Sequence, residues 1–109
     1  MHQARFMLAV ALAAAALGAN AASAAPTEAL KLLNSNCQQC HQIKGIEDFG
    51  NVGPSLVDLK ARFPNRKDVV AIIDDETKRN PQTVMPPFKR NLVLTDKQIA
   101  VIVDYLYNQ

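Results

Sequence analysis

The feature that most constrains this chain is the motif Cys-Gln-Gln-Cys-His at residues 37–41. Two thiols separated by two residues can reach the two vinyl groups along one edge of a haem, and a histidine directly after the second thiol lies under the iron. Cys37, Cys40 and His41 therefore predict one covalently bound haem c, with His41 as an iron ligand. Covalent attachment also allows a small domain to leave part of the haem edge exposed.

Three other kinds of site use the same residue types. A structural zinc site needs four ligands, usually Cys and His, whereas residues 25–109 contain two cysteines and one histidine. A thioredoxin-like disulfide should lie between a strand and a helix, and the sequence shows no convincing strand. A structural disulfide across so short a loop would stabilise little and would leave His41 unexplained. Haem attachment is therefore favoured.

The N-terminal residues have the features of a cleavable signal peptide. Arg5 precedes an apolar run over residues 6–17, and small residues follow around positions 22–24. We predict that residues 1–24 are the signal peptide and that residues 25–109 form a single domain. An uncleaved membrane anchor is the alternative, but alanines, Asn20, Ser23 and Pro26 weaken the apolar run. The protein is thus expected in the periplasm, with no membrane contact after cleavage.

The predicted domain is small and nearly balanced in charge. A domain of this length buries only about 60% of its unfolded surface, so it often depends on a cofactor, metal or disulfide. The full chain has 12 Lys and Arg against 10 Asp and Glu. The sequence lacks the basic surface that binds phosphate backbones, so no nucleic-acid partner is expected.

Periodicity predicts an all-α fold with three main helices. The first begins near Thr27 after Pro26, and the second begins at the N-cap Asn65 and ends before Pro81. The third begins after Thr95. The apolar stripes of these helices are, in order, Leu30, Leu33 and Cys37; Val69, Ile72 and Ile73; and Ile99, Ile102, Val103 and Leu106.

Long loops separate the predicted helices. Residues 45–54 form a glycine-containing region, and a short helix is predicted for residues 55–62. A proline-rich loop precedes the third helix, which Thr95 and Gln98 begin with a capping box. Such loops would be anomalous in an empty domain. A haem at the centre of the fold explains them, because the loops become walls of its pocket.

Met85 is the only methionine within residues 25–109, and it lies in the sequence Val-Met-Pro-Pro-Phe. The prolines limit the movement of its sulfur, and no second histidine competes for the sixth position on iron. Met85 is therefore predicted as the second axial ligand, although a flexible core methionine, water or an exogenous ligand are alternatives. A neutral thioether raises the reduction potential and closes the iron to dioxygen. That chemistry favours electron transfer over oxygen binding or peroxidase activity.

The second ring nitrogen of His41 needs a hydrogen-bond acceptor that fixes the ring. The carbonyls of Gly53 and Pro54 are the predicted acceptors. An ordinary turn is the alternative, since Gly-Pro is common in loops.

Over residues 25–109 the chain resembles class I c-type cytochromes, with one monohaem cytochrome c domain, and within them the SoxX family. In that resemblance the Pro54 carbonyl is the acceptor for His41. Six segments carry the resemblance to this family: Asn-Cys-Gln-Gln-Cys-His at 36–41, Gly-Asn-Val-Gly-Pro-Ser-Leu at 50–56, Ala-Arg-Phe-Pro at 61–64, Asn-Pro-Gln-Thr-Val-Met-Pro-Pro-Phe at 80–88, Leu-Thr at 94–95 and Val-Asp-Tyr-Leu-Tyr at 103–107.

The resemblance implies a small class I cytochrome c fold and a periplasmic heterodimer with a SoxA-like dihaem or monohaem cytochrome subunit. That partner would hold the catalytic cysteine of thiosulfate oxidation, an L-cysteine S-thiosulfotransferase activity, and this chain would pass the released electrons to a soluble acceptor. No catalytic residue is expected here, because haem uses both cysteines.

Two alternatives are a free-standing monohaem carrier and a haem-based sensor or minor peroxidase. Lys78, Arg79, Lys89 and Arg90 flank the Met85 loop and either steer an acidic partner or form a solvated face.

Overall fold

The computed structural model describes residues 21–109, with side chains from residue 26 onward. Most of the predicted signal peptide, residues 1–20, lies outside this range. The helices are α1 (Ala21–Asn36), α2 (Leu59–Arg62), α3 (Arg66–Asp75) and α4 (Asp96–Tyr107), and a 3₁₀ helix, Glu76–Lys78, follows α3. The described residues contain no strand, so the predicted all-α fold is confirmed.

Helix α4 is the centre of the packing, because α1, α2 and α3 all contact it. Its predicted apolar stripe is buried as expected: Ile99, Ile102, Val103 and Leu106 are at most 3% exposed. Leu33 of α1 and Val69 of α3 join the same core cluster. The helices at the two ends of the domain are therefore joined through one apolar centre.

Two predicted helix starts are confirmed by their caps. The Thr95 hydroxyl accepts a hydrogen bond from the Gln98 backbone N–H, and the Gln98 side chain accepts one from the Thr95 N–H, so the capping box is complete. The Asn65 side chain accepts from the Lys67 N–H at the start of α3. Each cap satisfies backbone donors that a helix end leaves without partners.

Other predicted boundaries differ from the structure. Helix α1 already includes residues 21–26, ahead of the start predicted near Thr27, and Pro26 lies inside it. Alanine has the highest helix propensity, so the alanines before Pro26 continue the helix even though Pro26 has no N–H to donate. The short helix begins at Leu59 and not at residue 55, because Asp58 before it adopts a left-handed conformation with φ 55°.

The middle helix also ends earlier than Pro81 predicted. The side chain of Asp75 accepts a hydrogen bond from the Thr77 N–H and caps the 3₁₀ helix. This bond ends the α-helical pattern six residues before Pro81. The chain then enters the loop that carries Met85.

No helix within residues 21–109 combines the length and the apolar character needed to cross a bilayer.

Candidate functional site

The predicted site residues Cys37, Cys40, His41, Pro54 and Met85 all line one cavity of about 450 Å³. They come from three segments of the sequence: the turn directly after α1, the loop that leads to α2, and the loop before α4. The volume lies within the ~300–1,000 Å³ of cofactor sites. The fold therefore brings both predicted iron ligands and both thiols to a single space.

The walls of this cavity are mainly apolar. Cofactor sites commonly combine such walls with a few placed polar groups. The apolar lining comes from all four helices and their loops and includes Leu33, Leu56, Leu59, Phe63, Val69, Ile72, Ile73, Phe88, Ile102 and Leu106.

The motif at residues 37–41 extends the end of α1 by one turn. The N–H of Cys37 donates to Leu33 O at 2.8 Å, and the N–H of His41 donates to Cys37 O at 3.0 Å. The following loop then returns along this turn, because Gly53 N–H donates to Cys40 O at 2.7 Å. Main-chain hydrogen bonds thus fix the motif on both sides.

The His41 ring is held by one hydrogen bond and by one close approach of the backbone. Its Nδ1 lies 2.6 Å from the carbonyl oxygen of Pro54. A carbonyl can only accept, so Nδ1 carries the hydrogen and Nε2 keeps its lone pair for a metal. Gly53 lies against the ring, where a Cβ atom would overlap three ring atoms. The glycine of the Gly-Pro pair is therefore required for space.

Met85 lies on the opposite sequence segment and is half-buried against the apolar core. The Thr83 hydroxyl accepts a hydrogen bond from the Met85 backbone N–H at 3.1 Å. Phe88, three residues further, is 5% exposed and fixes the end of this segment in the core. The structure therefore supports the loop through a threonine, prolines and one buried aromatic ring.

Cys37 and Cys40 do not form a disulfide with each other. Burial, and secondly the charge of neighbouring Cys40, raises the pKa of the Cys37 thiol to about 11. A catalytic redox dithiol instead needs a lowered thiol pKa, because the thiolate is the nucleophile. Among the described residues no group of three or more His, Cys, Asp and Glu side chains could hold a metal ion. The raised pKa of Cys37 therefore disfavours the thioredoxin-like alternative.

These observations test whether the residues fit a haem c, and they do. The cavity offers an imidazole nitrogen, a thioether sulfur, two thiols and apolar walls. Imidazole and thioether are both haem-iron ligands, and thiols at this spacing are attachment points for vinyl groups.

Sequence reasoning missed three contributors to this cavity. Glu76 and Phe63 both line it, and Glu76 is buried. Thr83 supports Met85 through the hydrogen bond described above. Periodicity gave no indication of Glu76, which follows two aspartates, and the threonine could have been recognised as a turn residue two positions before Met85.

The fold and the cavity together define a c-type cytochrome, a class of haem-based electron-transfer proteins. A family model described as cytochrome c oxidase, cbb3-type, subunit III, matches residues 24–106, and the chain belongs to this family. The family implies haem c as the cofactor and confirms the predicted class I cytochrome c fold. The chain matches no curated protein.

Proposed function

We propose that this protein is an exported, periplasmic electron carrier in which Cys37 and Cys40 bind one haem c covalently and His41 and Met85 ligate the iron. The observation that carries the proposal is that these four residues line one apolar cavity, where His41 Nδ1 forms a hydrogen bond with the Pro54 carbonyl. The orientation leaves Nε2 as the coordinating nitrogen.

A bound haem supplies a one-electron couple between ferric and ferrous iron. The protein residues determine how that couple behaves. His41 provides a nitrogen ligand in a fixed tautomer, and Met85 provides a neutral sulfur that favours the ferrous state and blocks small ligands. The apolar walls exclude water, which strengthens the effect of each nearby charge. This combination suits electron transfer better than a sensor or peroxidase, in which one axial position must open.

Covalent attachment is tested by extraction with acidified acetone and by the pyridine haemochrome spectrum of protein made in an export-competent host. The wild type should retain its haem and show the spectrum of two saturated vinyl groups. The double variant Cys37→Ala, Cys40→Ala should lose all covalent haem, whereas the exposed control Ser35→Ala should retain it. Complete extraction of haem from the wild type, or absence of haem, would contradict the proposal.

The finer role we propose is that of a SoxX-like subunit accepting electrons from a SoxA-like cytochrome. The resemblance in residues 80–88 supports it, as does an apolar rim on the cavity: Val52 and Val84 line it and are 68% and 81% exposed. Exposed apolar side chains at a rim favour a stable interface. The matched family is itself named for a subunit of a larger enzyme.

The alternative is a free-standing carrier, which would use the cations beside the Met85 loop to attract an acidic partner. Fewer of these cations are unpaired than the sequence suggested. Three of the four cations near the Met85 loop form ion pairs: Arg79 with Glu76, Lys89 with Asp96 and Arg90 with Asp75. Paired charges steer an acidic partner less strongly. Purification from the native host decides between these roles. Recovery with a SoxA-like haem protein supports the heterodimer, whereas recovery only as a monomer or with oxidase subunits contradicts it.

A further inference from the structure

A buried carboxylate forms part of the cavity wall. Glu76 is 5% exposed, and its Oε1 accepts a hydrogen bond from Arg79 Nε at 2.8 Å. Its Oε2 is also buried and has no hydrogen-bond partner among the described residues. A carboxylate loses hydration on burial and therefore needs a cation beside it. Arg79 is its only ion-pair partner within the described part of the chain.

The guanidinium of Arg79 is held from two directions. Nε donates to Glu76, and the guanidinium carbon lies 5.7 Å from the centre of the Phe63 ring, within the range of a cation–π contact. The Arg79 side chain is 61% exposed. Within residues 21–109, its two terminal nitrogens have no hydrogen-bond acceptor. An arginine oriented in this way can present both terminal nitrogens to a carboxylate.

A haem has an apolar macrocycle and two carboxylates at one edge, so its carboxylate edge requires polar partners. Arg62 and Arg79 are the two arginines that line the cavity. Arg62 already donates through Nη2 to the carbonyls of Ser55 and Val57. One terminal nitrogen of Arg62 is therefore already used within its own loop, whereas both terminal nitrogens of Arg79 have no acceptor within residues 21–109.

We propose that Arg79 binds a haem carboxylate and that the Glu76–Arg79 pair sets the reduction potential, with Glu76 and Phe63 as positioning residues. This inference rests on the proposed function, because it requires haem in the cavity. It also explains why a carboxylate is buried beside the site: Glu76 fixes Nε and leaves the terminal nitrogens to bind the haem.

Opposite charges in this pair have opposite effects on the iron. Ferric haem carries one more positive charge than ferrous haem, so Arg79 disfavours the ferric state and Glu76 favours it. Loss of the Arg79 charge should lower the reduction potential, and loss of the Glu76 charge should raise it. A merely structural role predicts another result, because loosening the cavity admits water and stabilises the ferric state in both cases.

The test is a redox titration of haem-loaded Arg79→Gln and Glu76→Gln. Both substitutions keep a hydrogen-bonding side chain of similar size. Arg79→Gln should shift the ferric-to-ferrous ratio three- to tenfold toward ferric at fixed ambient potential, about 30–60 mV for one electron. Glu76→Gln should shift it in the other direction. Lys78→Gln is the matched control, because it removes the same charge from the neighbouring exposed position and should shift the ratio less than Arg79→Gln.

Resonance Raman spectra provide a second measurement on the same samples. The bending band of the haem carboxylates should move in Arg79→Gln and not in Lys78→Gln, and Arg79→Lys should recover part of the potential. Lower potentials in both Arg79→Gln and Glu76→Gln, unchanged potentials, or an unmoved carboxylate band in Arg79→Gln would overturn the inference. Failure of the wild type to retain haem would instead contradict the proposed function.

Discussion

The segment that carries His41 and the segment that carries Met85 face the same cavity, but different interactions hold them. On the histidine side, the motif continues α1, main-chain hydrogen bonds tie it to the returning loop, and the ring is bonded to Pro54 O. On the methionine side, a single hydroxyl, that of Thr83, accepts the Met85 N–H. Proline rings supply the remaining local restraint.

The anchors of the methionine side lie further along the chain. Arg90 Nη1 donates to the buried Asp75 at 2.8 Å, and Lys89 forms an ion pair with the exposed Asp96. These contacts connect the loop after Met85 to the end of α3 and the start of α4. A main-chain bond also joins the methionine side to α3, from the Lys89 N–H to Asp74 O at 3.2 Å. The comparison nevertheless indicates that backbone groups contact His41 itself, whereas the segment of Met85 depends more on side-chain contacts. Substitutions should therefore affect the two ligands by different mechanisms.

The largest effect is expected from Gly53→Ala on the histidine side. A Cβ atom at this position overlaps the His41 ring, so the ring or the loop must move and the bond to Pro54 O is strained or lost. Overpacking of this kind costs about 1–3 kcal/mol. We expect a loss of that size in the free energy of unfolding of the haem-loaded protein, measured by denaturant titration.

The control for this prediction is Asn51→Ala, which changes an exposed residue of the same loop. Its expected effect is below about 0.5 kcal/mol. Equal stabilities for Gly53→Ala and the wild type would show that backbone geometry does not hold His41 in place.

A smaller and more local effect is expected from Thr83→Val on the methionine side. Valine keeps the shape of threonine but leaves the Met85 N–H without its acceptor, which costs about 0.5–1.5 kcal/mol. If that cost falls on the methionine-bound state, the apparent affinity of the ferric protein for imidazole should rise about fivefold, since 1.4 kcal/mol corresponds to tenfold. The measurement is an imidazole titration followed by the far-red sulfur-to-iron charge-transfer band.

Thr83→Ser keeps a hydroxyl and should bind imidazole nearly as weakly as the wild type. Should Thr83→Val and Thr83→Ser behave alike, the hydroxyl would have no role in holding Met85.

The sequence predicted those parts of the fold that depend on local patterns. The capping box of Thr95 and Gln98 and the apolar stripe of α4 are short-range features, and both were confirmed. The predicted start of α1 near Thr27 was wrong, because the helix propensity of the alanines before Pro26 outweighs the N-cap preference of Thr27. The left-handed Asp58 and the early end of α3 depend on packing and a side-chain cap. Neither has a periodic pattern in the sequence.

For the candidate site, composition was informative because cysteine, histidine and methionine are scarce in residues 25–109. Because these residue types are rare, Cys37, Cys40, His41 and Met85 could be recognised as candidates without any knowledge of the fold. Glu76 could not be recognised in this way, since acidic residues are common and only three-dimensional packing buries this one. The pairing of Arg79 with Glu76 and Phe63 likewise depends on how the end of α3 meets the residue after α2.

The smallest expected effect concerns Asp75, the buried anchor of the methionine side. A hydrogen bond from the Thr77 hydroxyl, against the opposing effect of burial, lowers the pKa of the Asp75 carboxyl below its usual value of 3.8, and the backbone N–H of Thr77 and the charge of Arg90 act in the same direction. The pKa of Asp75 is lower in the folded state than in the unfolded state, so ionised Asp75 stabilises the fold fully at a pH above its pKa in the unfolded state. This stabilisation is lost as the pH falls through the pKa of Asp75 in the folded state.

Comparison with Asp75→Asn separates the contribution of Asp75 to the free energy of unfolding from that of other groups that titrate in acid, including the carboxylates of a haem. The wild type should exceed Asp75→Asn in free energy of unfolding at pH 7, and the difference should shrink as the pH falls below about 4. Denaturant titrations at both pH values, with the charge-transfer band as the probe, measure whether the loss reaches Met85. A difference that grew in acid would mean that Asp75 is destabilising as an anion, and the ion pair with Arg90 would then not anchor the methionine side.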